Sequence, residues 1–263
     1  MHFQKIIPAE PLREFVRYFW IFEDFTVKSE AKTFKILPDG LPALIFQEEA
    51  NLFLDNTGMT LPQLSIFGQS TRYTEHRAIG DFRLIGVYLE PTALKTIFNL
   101  DAFELNNKGV ALEDIVSEPI LEQLLNTVSI DRKIELLSTL LLQRIQNVKQ
   151  DAHKAKFASR LLQEGRPLIA IQQEMNLSER SLERLLKQHV GVSPKMFARI
   201  MRFQSSLNAF REINFKNLTD IAYTNDYFDQ SHYIREFKEF TGASPTYFLQ
   251  KANEQLTNFP QWT

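Results

Sequence analysis

The chain has no cysteine among its 263 residues, only nine glycines, and little net charge. Without thiols there is no disulfide, no thiolate nucleophile and no zinc site that needs sulfur, which fits a reducing compartment. A metal would have to use histidine and carboxylate. His2, His76, His153, His189 and His232 show neither HxH nor HExxH spacing, so no metal site is expected. The glycines never fall in GxGxxG or GxxxxGK[ST] order, which argues against a dinucleotide or P-loop cradle. No other cofactor is implied. Long apolar runs are missing too: nothing approaches the roughly 18 residues of a membrane span. The opening MHFQKIIPAEPLREF is too charged and proline-broken for a signal-peptide core. A soluble, cytoplasmic protein without a membrane partner is expected. Finally, 30 Lys+Arg against 32 Asp+Glu leave a formal charge of -2, which taken alone disfavours nucleic acid.

What is present divides the chain. The length suits two domains. Up to about residue 90 the pattern is of short strands: Phe34 to Leu37, the turn Pro38-Asp39-Gly40, Ala43 to Phe46, Leu64 to Phe67, and Phe82 to Leu89. An aromatic stretch, Phe15 to Phe25, includes Trp20; a packed core explains these rings more simply than a ligand cage. From about Pro91 the apolar period changes to three and four. Leu121, Leu124, Leu125 and Val128, then Leu137, Leu140, Leu141 and Ile145, predict that residues 92 to 148 are mostly helical. These stripes suit packing on the β part or pairing of two chains. Gln146 to His153 is polar and lacks an apolar period, which places a domain boundary there.

The C-terminal third repeats itself. Gly191-Val192-Ser193-Pro194-Lys195-Met196-Phe197 returns 51 residues later as Gly242-Ala243-Ser244-Pro245-Thr246-Tyr247-Phe248. In each copy Gly closes one helix, Ser caps the next, and Pro occupies a first turn that needs no amide donor. Upstream lies a matched helix. Ser178 is the N-cap of the first, with Leu182, Leu185 and Leu186 inward and Arg180, Arg184 and Lys187 outward. Asp229 caps the second, with Tyr233 and Phe237 inward and Ser231, Arg235 and Lys238 outward. Shorter apolar segments precede them, Leu168 to Met175 and Leu218 to Thr224, each followed by a turn residue, Asn176 or Asp226, that tolerates the left-handed conformation. Helix, tight turn and basic helix, twice, is a pair of helix-turn-helix motifs. Lys195 to Arg211 reads as one long helix between them, with Met196, Ile200, Phe203, Leu207 and Phe210 on its inner side. Each recognition helix could then enter a successive major-groove segment, about 34 Å apart, without dimerisation.

At these residues the sequence resembles the AraC/XylS family of bacterial transcription regulators. The resemblance covers about residues 152 to 250 and is carried by Ile221-Ala222, Tyr227-Phe228-Asp229-Gln230-Ser231-His232-Tyr233, Phe237-Lys238, Gly242 and Ser244-Pro245. Asn176 and Asp226 stand where that family usually has Gly, and Gln172 replaces a small residue. The N-terminal half is similar to a sensory domain in one branch of these regulators through Leu37-Pro38-Asp39-Gly40, Phe67-Gly68-Gln69-Ser70 and Leu84-Ile85-Gly86-Val87. The resemblance implies duplex DNA as partner, with base-facing roles for Arg180, Glu183 and Arg184 in the first motif and Gln230, Ser231, His232 and Arg235 in the second. That chemistry is apt, since Arg forks onto guanine, Gln onto adenine, and Glu accepts from cytosine. Lys187, Lys195, Arg199 and Lys238 are assigned to phosphate. His232 has an equally good alternative as a local hydrogen-bonding group. The resemblance further implies a small apolar or amphipathic effector among the β-region aromatics, with RNA polymerase and a second copy of the chain as candidate partners.

The expected architecture is α+β: a β-rich then helical sensory or association domain over 1–148, an all-α DNA-binding domain over 149–252 with two helix-turn-helix motifs joined by a long helix, and a tail over 253–263. Charge follows the same division. Residues 1 to 150 hold 15 basic and 20 acidic side chains, and residues 151 to 263 hold 15 and 12, so net -5 and net +3 hide inside the total of -2. An enzyme is the rival class, but GVSPK and GASPT lack the second Gly of a nucleophile elbow and their Ser is a cap. A small-molecule or protein-binding module without sequence-specific DNA binding is the other alternative.

Overall fold

The computed structural model describes residues 1–25, 31–145, 150–211 and 218–252. The strands are β1 (His2–Ile6), β2 (Val16–Asp24), β3 (Lys32–Ile36), β4 (Ala43–Gln47), β5 (Phe53–Leu54), β6 (Leu64–Phe67), β7 (Thr74–Ala78), β8 (Phe82–Leu89) and β9 (Gly109–Ala111). They form a large sheet in the order β1-β2-β8-β4-β6-β9 and a small one in the order β3-β7-β5, with antiparallel pairing throughout. Period-two alternation gives the large sheet two apolar faces. Phe19, Leu44, Phe46, Ile85 and Val87 face the helices α1 (Ala93–Phe98), α2 (Ile120–Leu125) and α3 (Ile130–Arg144). Trp20, Phe22, Leu84 and Tyr88 face the small sheet.

Between the sheets the rings of Phe22, Phe34, Phe53 and Phe82 meet one another at centroid distances of 5.1 to 6.1 Å, several edge-on. Such pairs add about 0.5–1.5 kcal/mol each beyond the area they bury. Within the aromatic stretch Phe19, Trp20 and Phe22 are therefore core, while Phe25 is 54% exposed. Gly86 lies opposite Trp20 in the β2–β8 register, where a Cβ would overlap the indole.

Residues 92 to 148 are less uniformly helical than the apolar period predicts. β9 closes the edge of the large sheet here, and short 3-10 turns separate the helices. Leu124, Leu137, Leu140 and Leu141 are buried against the sheet, so intradomain packing takes up most of the leucine stripes. Leu125 and Val128 depart from the expectation: they are 47% and 94% exposed, because α2 ends at Leu125.

The rest is helical: α4 (Gln150–Gln163), α5 (Leu168–Met175), α6 (Glu179–His189), α7 (Pro194–Arg211), α8 (Leu218–Thr224), α9 (Gln230–Thr241) and α10 (Pro245–Ala252). α4 begins inside the stretch read as polar linker. Its buried stripe is Ala152, Ala155, Ala158, Leu161 and Leu162, and alanine carries too little hydrophobicity to reveal a period. The expected boundary at 148/149 and the tail 253–263 lie outside the described residues, as does the side chain of Phe210. Among the described residues, no helix is long and apolar enough to cross a membrane.

Two cores divide the helical part. Ala158, Leu161, Ile171, Leu182, Leu186 and Phe197 form one, and Ile200, Phe203, Leu207, Ile221, Tyr233 and Phe237 the other. α7 contributes to both and is their common axis. The β part meets this arrangement at several points; Arg17 donates to Gln163 at 3.1 Å and Glu14 pairs with Lys156 at 3.4 Å on α4, and three further contacts lie near the second core and the ends of α6 and α9. Leu37 is buried in the second core, while the Pro38 carbonyl accepts from Gln204 Nε2 at 2.6 Å. Asn106 Nδ2 donates to the Gly191 carbonyl. Lys35 Nζ donates to the Thr241 carbonyl at 3.1 Å, and the Tyr73 ring lies against Gly242.

Candidate nucleic-acid interface

α6 and α9 each start on a side-chain cap, as the sequence anticipates: Ser178 Oγ accepts from the Ser181 amide at 3.2 Å, and Asp229 Oδ1 from the His232 amide at 2.7 Å. These bonds satisfy orphan amides that would otherwise fray the first turn. The turns before them are left-handed at Asn176 (φ 50°) and Asp226 (φ 56°), a conformation that Asn and Asp accept at little cost. Gly191 (φ 99°) and Gly242 (φ 74°) turn the chain after α6 and α9. Ser193 Oγ then accepts from the Met196 amide at 3.2 Å, and Ser244 Oγ from the Tyr247 amide at 3.3 Å, so both serines are caps.

The two units differ by one residue. α5 and α8 begin at Leu168 and Leu218, 50 apart, whereas the caps Ser178 and Asp229 are 51 apart. Leu177 packs into the first core and Tyr227 into the second, so the added residue is Phe228, which is 85% exposed beside the start of α9.

Arg180, Arg184 and Lys187 are exposed on α6, and Ser231, Arg235 and Lys238 on α9; Leu182, Leu186, Tyr233 and Phe237 are buried behind them, while Leu185 is half-buried. Among the described residues, Arg180, Arg184, Lys195, Arg235 and Lys238 make no ion pair. Apart from Ser231, the other expected site residues are engaged locally. Glu183 pairs with Lys187 at 2.8 Å along α6. Gln230 Oε1 accepts from Thr219 Oγ1 at 2.9 Å, which ties α9 to α8. His232 Nδ1 accepts from the Phe228 amide at 3.4 Å and its ring packs on Tyr227, the local role that competes with DNA contact.

Arg199 conflicts with the phosphate role expected of it. Its Nε donates to Glu236 at 2.8 Å, Nη2 donates to Glu239 at 2.6 Å, and the guanidinium lies over Phe240. Arg202, also on α7, donates to both Glu236 oxygens at 2.9 and 2.8 Å and stacks on Tyr227. Glu236 is 3% exposed and clasps two arginines of α7 to α9. The signal was legible: Tyr233, Glu236, Phe237 and Phe240 follow the inward helical spacing, and a carboxylate on that stripe needs cationic partners.

Residues 171–251 match the model of a family described as a helix-turn-helix domain, and residues 4–111 match that of a domain of unknown function, DUF6597. No curated protein matches the chain. Among solved structures, ToxT from Vibrio cholerae O395 is 14% identical, covers 94% of this chain and 97% of its own, and superposes with a TM-score of 0.46. A probable AraC family transcriptional regulator from Rhodopseudomonas palustris CGA009 is 20% identical over 38% of this chain and 97% of its own, with a TM-score of 0.34.

Proposed function

We propose that the chain is a DNA-binding transcription regulator of the AraC type and that α6 and α9 read successive major-groove segments of one operator; the match of residues 171–251 to a helix-turn-helix domain supports this reading. The observation that carries this reading is the pair of capped helices with outward cationic side chains, both braced by α7. Arg180 and Arg184 are the readers on α6, and Arg235 on α9, with bidentate contacts to guanine. Glu183, Gln230, Ser231 and His232 complete the base-facing set, for which Glu183, Gln230 and His232 exchange local hydrogen bonds or ion pairs for contacts to DNA. Lys187, Lys195 and Lys238 hold phosphates. Arg199 is assigned instead to holding α9 on α7. Phe228 adds an apolar side chain suited to a thymine methyl.

Residues 1–148 act in this reading as the sensory part and 149–252 as the reader. An effector held by the β part shifts DNA affinity, which requires different affinities for two states of the protein. The stripes first considered for pairing are largely used inside the domain, so they lend no support to a dimer. Selection of binding sites from random duplexes, followed by footprinting, tests the reading. Arg184→Ala and Arg235→Ala are each expected to weaken binding by about 1–3 kcal/mol and to relax discrimination at separate positions of the site. Full sequence discrimination in both variants would remove the assignment.

A further inference from the structure

A cavity of about 220 Å³ lies at the junction of the two sheets. It exceeds the about 150 Å³ of an engineered apolar cavity that binds benzene. Ile36, Ile45, Leu61 and Phe67 make an apolar wall, and the same four residues continue into a narrow recess bordered by Gln47. Gln47 is 4% exposed; its Nε2 faces the Pro62 carbonyl at 3.0 Å, while its Oε1 is buried without a hydrogen-bond partner.

At the other end stands Asp39. Its carboxylate accepts from the Leu41 amide at 2.9 Å. Among the described residues, no cation lies within ion-pair distance of it. Burial raises this carboxyl to about 6, as expected where no counter-charge compensates desolvation. The remaining charged or titratable lining groups do not supply that charge. His76 is kept neutral by burial, which lowers it to about 4. Asp55 is a second carboxylate, Lys108 is exposed, and Arg17, which acts on Asp39 from outside the lining, is paired with Glu90 at 3.2 Å. The cavity therefore sets the Asp39 carboxylate, with no cation in ion-pair distance, beside an apolar wall, and Asp55 is a second carboxylate in its lining.

We infer that this cavity binds an organic amine, with its ammonium on Asp39 and its apolar body along Ile36, Ile45, Leu61 and Phe67. The inference rests on the reading of the N-terminal part as a sensor, and gives that sensor a ligand class. It also supplies a route to the reader. Three segments that line the cavity also contact the helical domain. Leu37 and Asp39 flank Pro38, which binds Gln204; Asn107 and Lys108 follow Asn106, which binds Gly191; Thr74 follows Tyr73, which lies on Gly242. The segments are also tied to one another. Gln69 Nε2 donates to the Gly40 carbonyl at 2.6 Å, the Asn107 amide to the Gln69 carbonyl at 2.9 Å, and the Thr71 amide to Asn107 Oδ1 at 2.8 Å. Displacement of any one by a ligand is transmitted to the others, and so to the ends of both α6 and α9.

The test is calorimetric titration of the full chain, well above the titration range of Asp39, with hexylamine, hexan-1-ol and hexanoate. Hexylamine is expected to bind at least about tenfold tighter than the other two, the scale of one charge-assisted hydrogen bond. Asp39→Asn should abolish that preference and Asp39→Glu should retain it, with far-UV circular dichroism confirming that both variants are folded. Equal binding of the three probes, preference for hexanoate, absence of hexylamine binding, or an amine preference that survives in folded Asp39→Asn overturns the inference. If neither variant folds, Leu61→Ala, which enlarges the apolar wall without touching Asp39, takes their place: a shift of affinity towards longer alkylamines supports the site, and no change overturns it. DNA affinity, measured separately with and without hexylamine, is expected to change severalfold; an unchanged value overturns the coupling. A chain that binds the amine but selects no duplex loses the regulator reading alone, and one that selects a duplex but binds no amine loses this inference alone.

Discussion

Replacement of Glu236 by alanine removes the one carboxylate that both Arg199 and Arg202 share. Loss of one partner from a fully buried ion pair costs about 3–5 kcal/mol, because the other charge is left desolvated. An exposed pair contributes about 0–1 kcal/mol. Glu236 is 3% exposed, but the arginine side chains are 24% and 27% exposed and recover some hydration once released. Arg199 also keeps Glu239 at 2.6 Å. The expected loss is therefore about 2–3 kcal/mol, between those limits. For a helical domain of this size that corresponds to a fall in Tm of about 10–20 °C. Urea denaturation followed by far-UV circular dichroism measures it, and Glu236→Gln, which keeps the shape and one accepting oxygen but turns the other into an amide donor facing the arginines, should restore only a part. A loss under about 0.5 kcal/mol, the range of an ordinary surface substitution, would refute the claim that this cluster holds α9 on α7.

Other expectations follow from packing and titration. Gly86→Ala forces a methyl into the Trp20 ring and should lower stability by about 1–3 kcal/mol; a urea midpoint equal to that of the parent would contradict the contact. Leu37→Ala should cost about 2–5 kcal/mol and split thermal unfolding into two steps, since Leu37 is the β part's buried contribution to the second helical core. A single unchanged transition by calorimetry would count against that role. Asp39 is raised from 3.8 to about 6 in the fold, so its contribution is present below 3.8 and lost as pH rises through 6; Asp39→Asn should stabilise the protein well above pH 6 and bring no gain below 3.8. His76 runs the other way. It is lowered from 6.5 to about 4, its contribution is present above 6.5 and lost as pH falls through 4, and His76→Gln should flatten that acid limb in a urea series.

The parts legible in the sequence are those where local chemistry decides the structure. Ser178, Asp229, Ser193 and Ser244 cap because their oxygens meet orphan amides wherever a helix begins, and Asn176 and Asp226 turn because their backbones tolerate it. β6 and β8 match the expected Leu64 to Phe67 and Phe82 to Leu89, both apolar enough to read as buried strands. What escaped depends on neighbours distant in sequence. β7, Thr-Glu-His-Arg-Ala, carries almost no apolar signal and is a strand because β3 and β5 flank it. β9 is three residues long and exists as an edge partner of β6. α4 packs through alanines. At the candidate interface the exposed arginines lie where the repeat put them, but the engagement of Arg199 by Glu236 needed the packing of α7 on α9 to be known.

The contacts of the β part with Gly191, Gly242 and the middle of α7 have a mechanical meaning. A rigid body held at one point rotates freely, and held at two it still turns about the line through them; a third attachment away from that line removes the last rotation. Release at Pro38 would leave the helical domain tied at the ends of α6 and α9 and, through Arg17–Gln163 and Glu14–Lys156, at α4. Release at Gly191 or Gly242 would instead free one motif while the other remained anchored. These attachments thus allow distinct movements according to which is undone, and the pitch of the two helices relative to a duplex becomes an adjustable quantity.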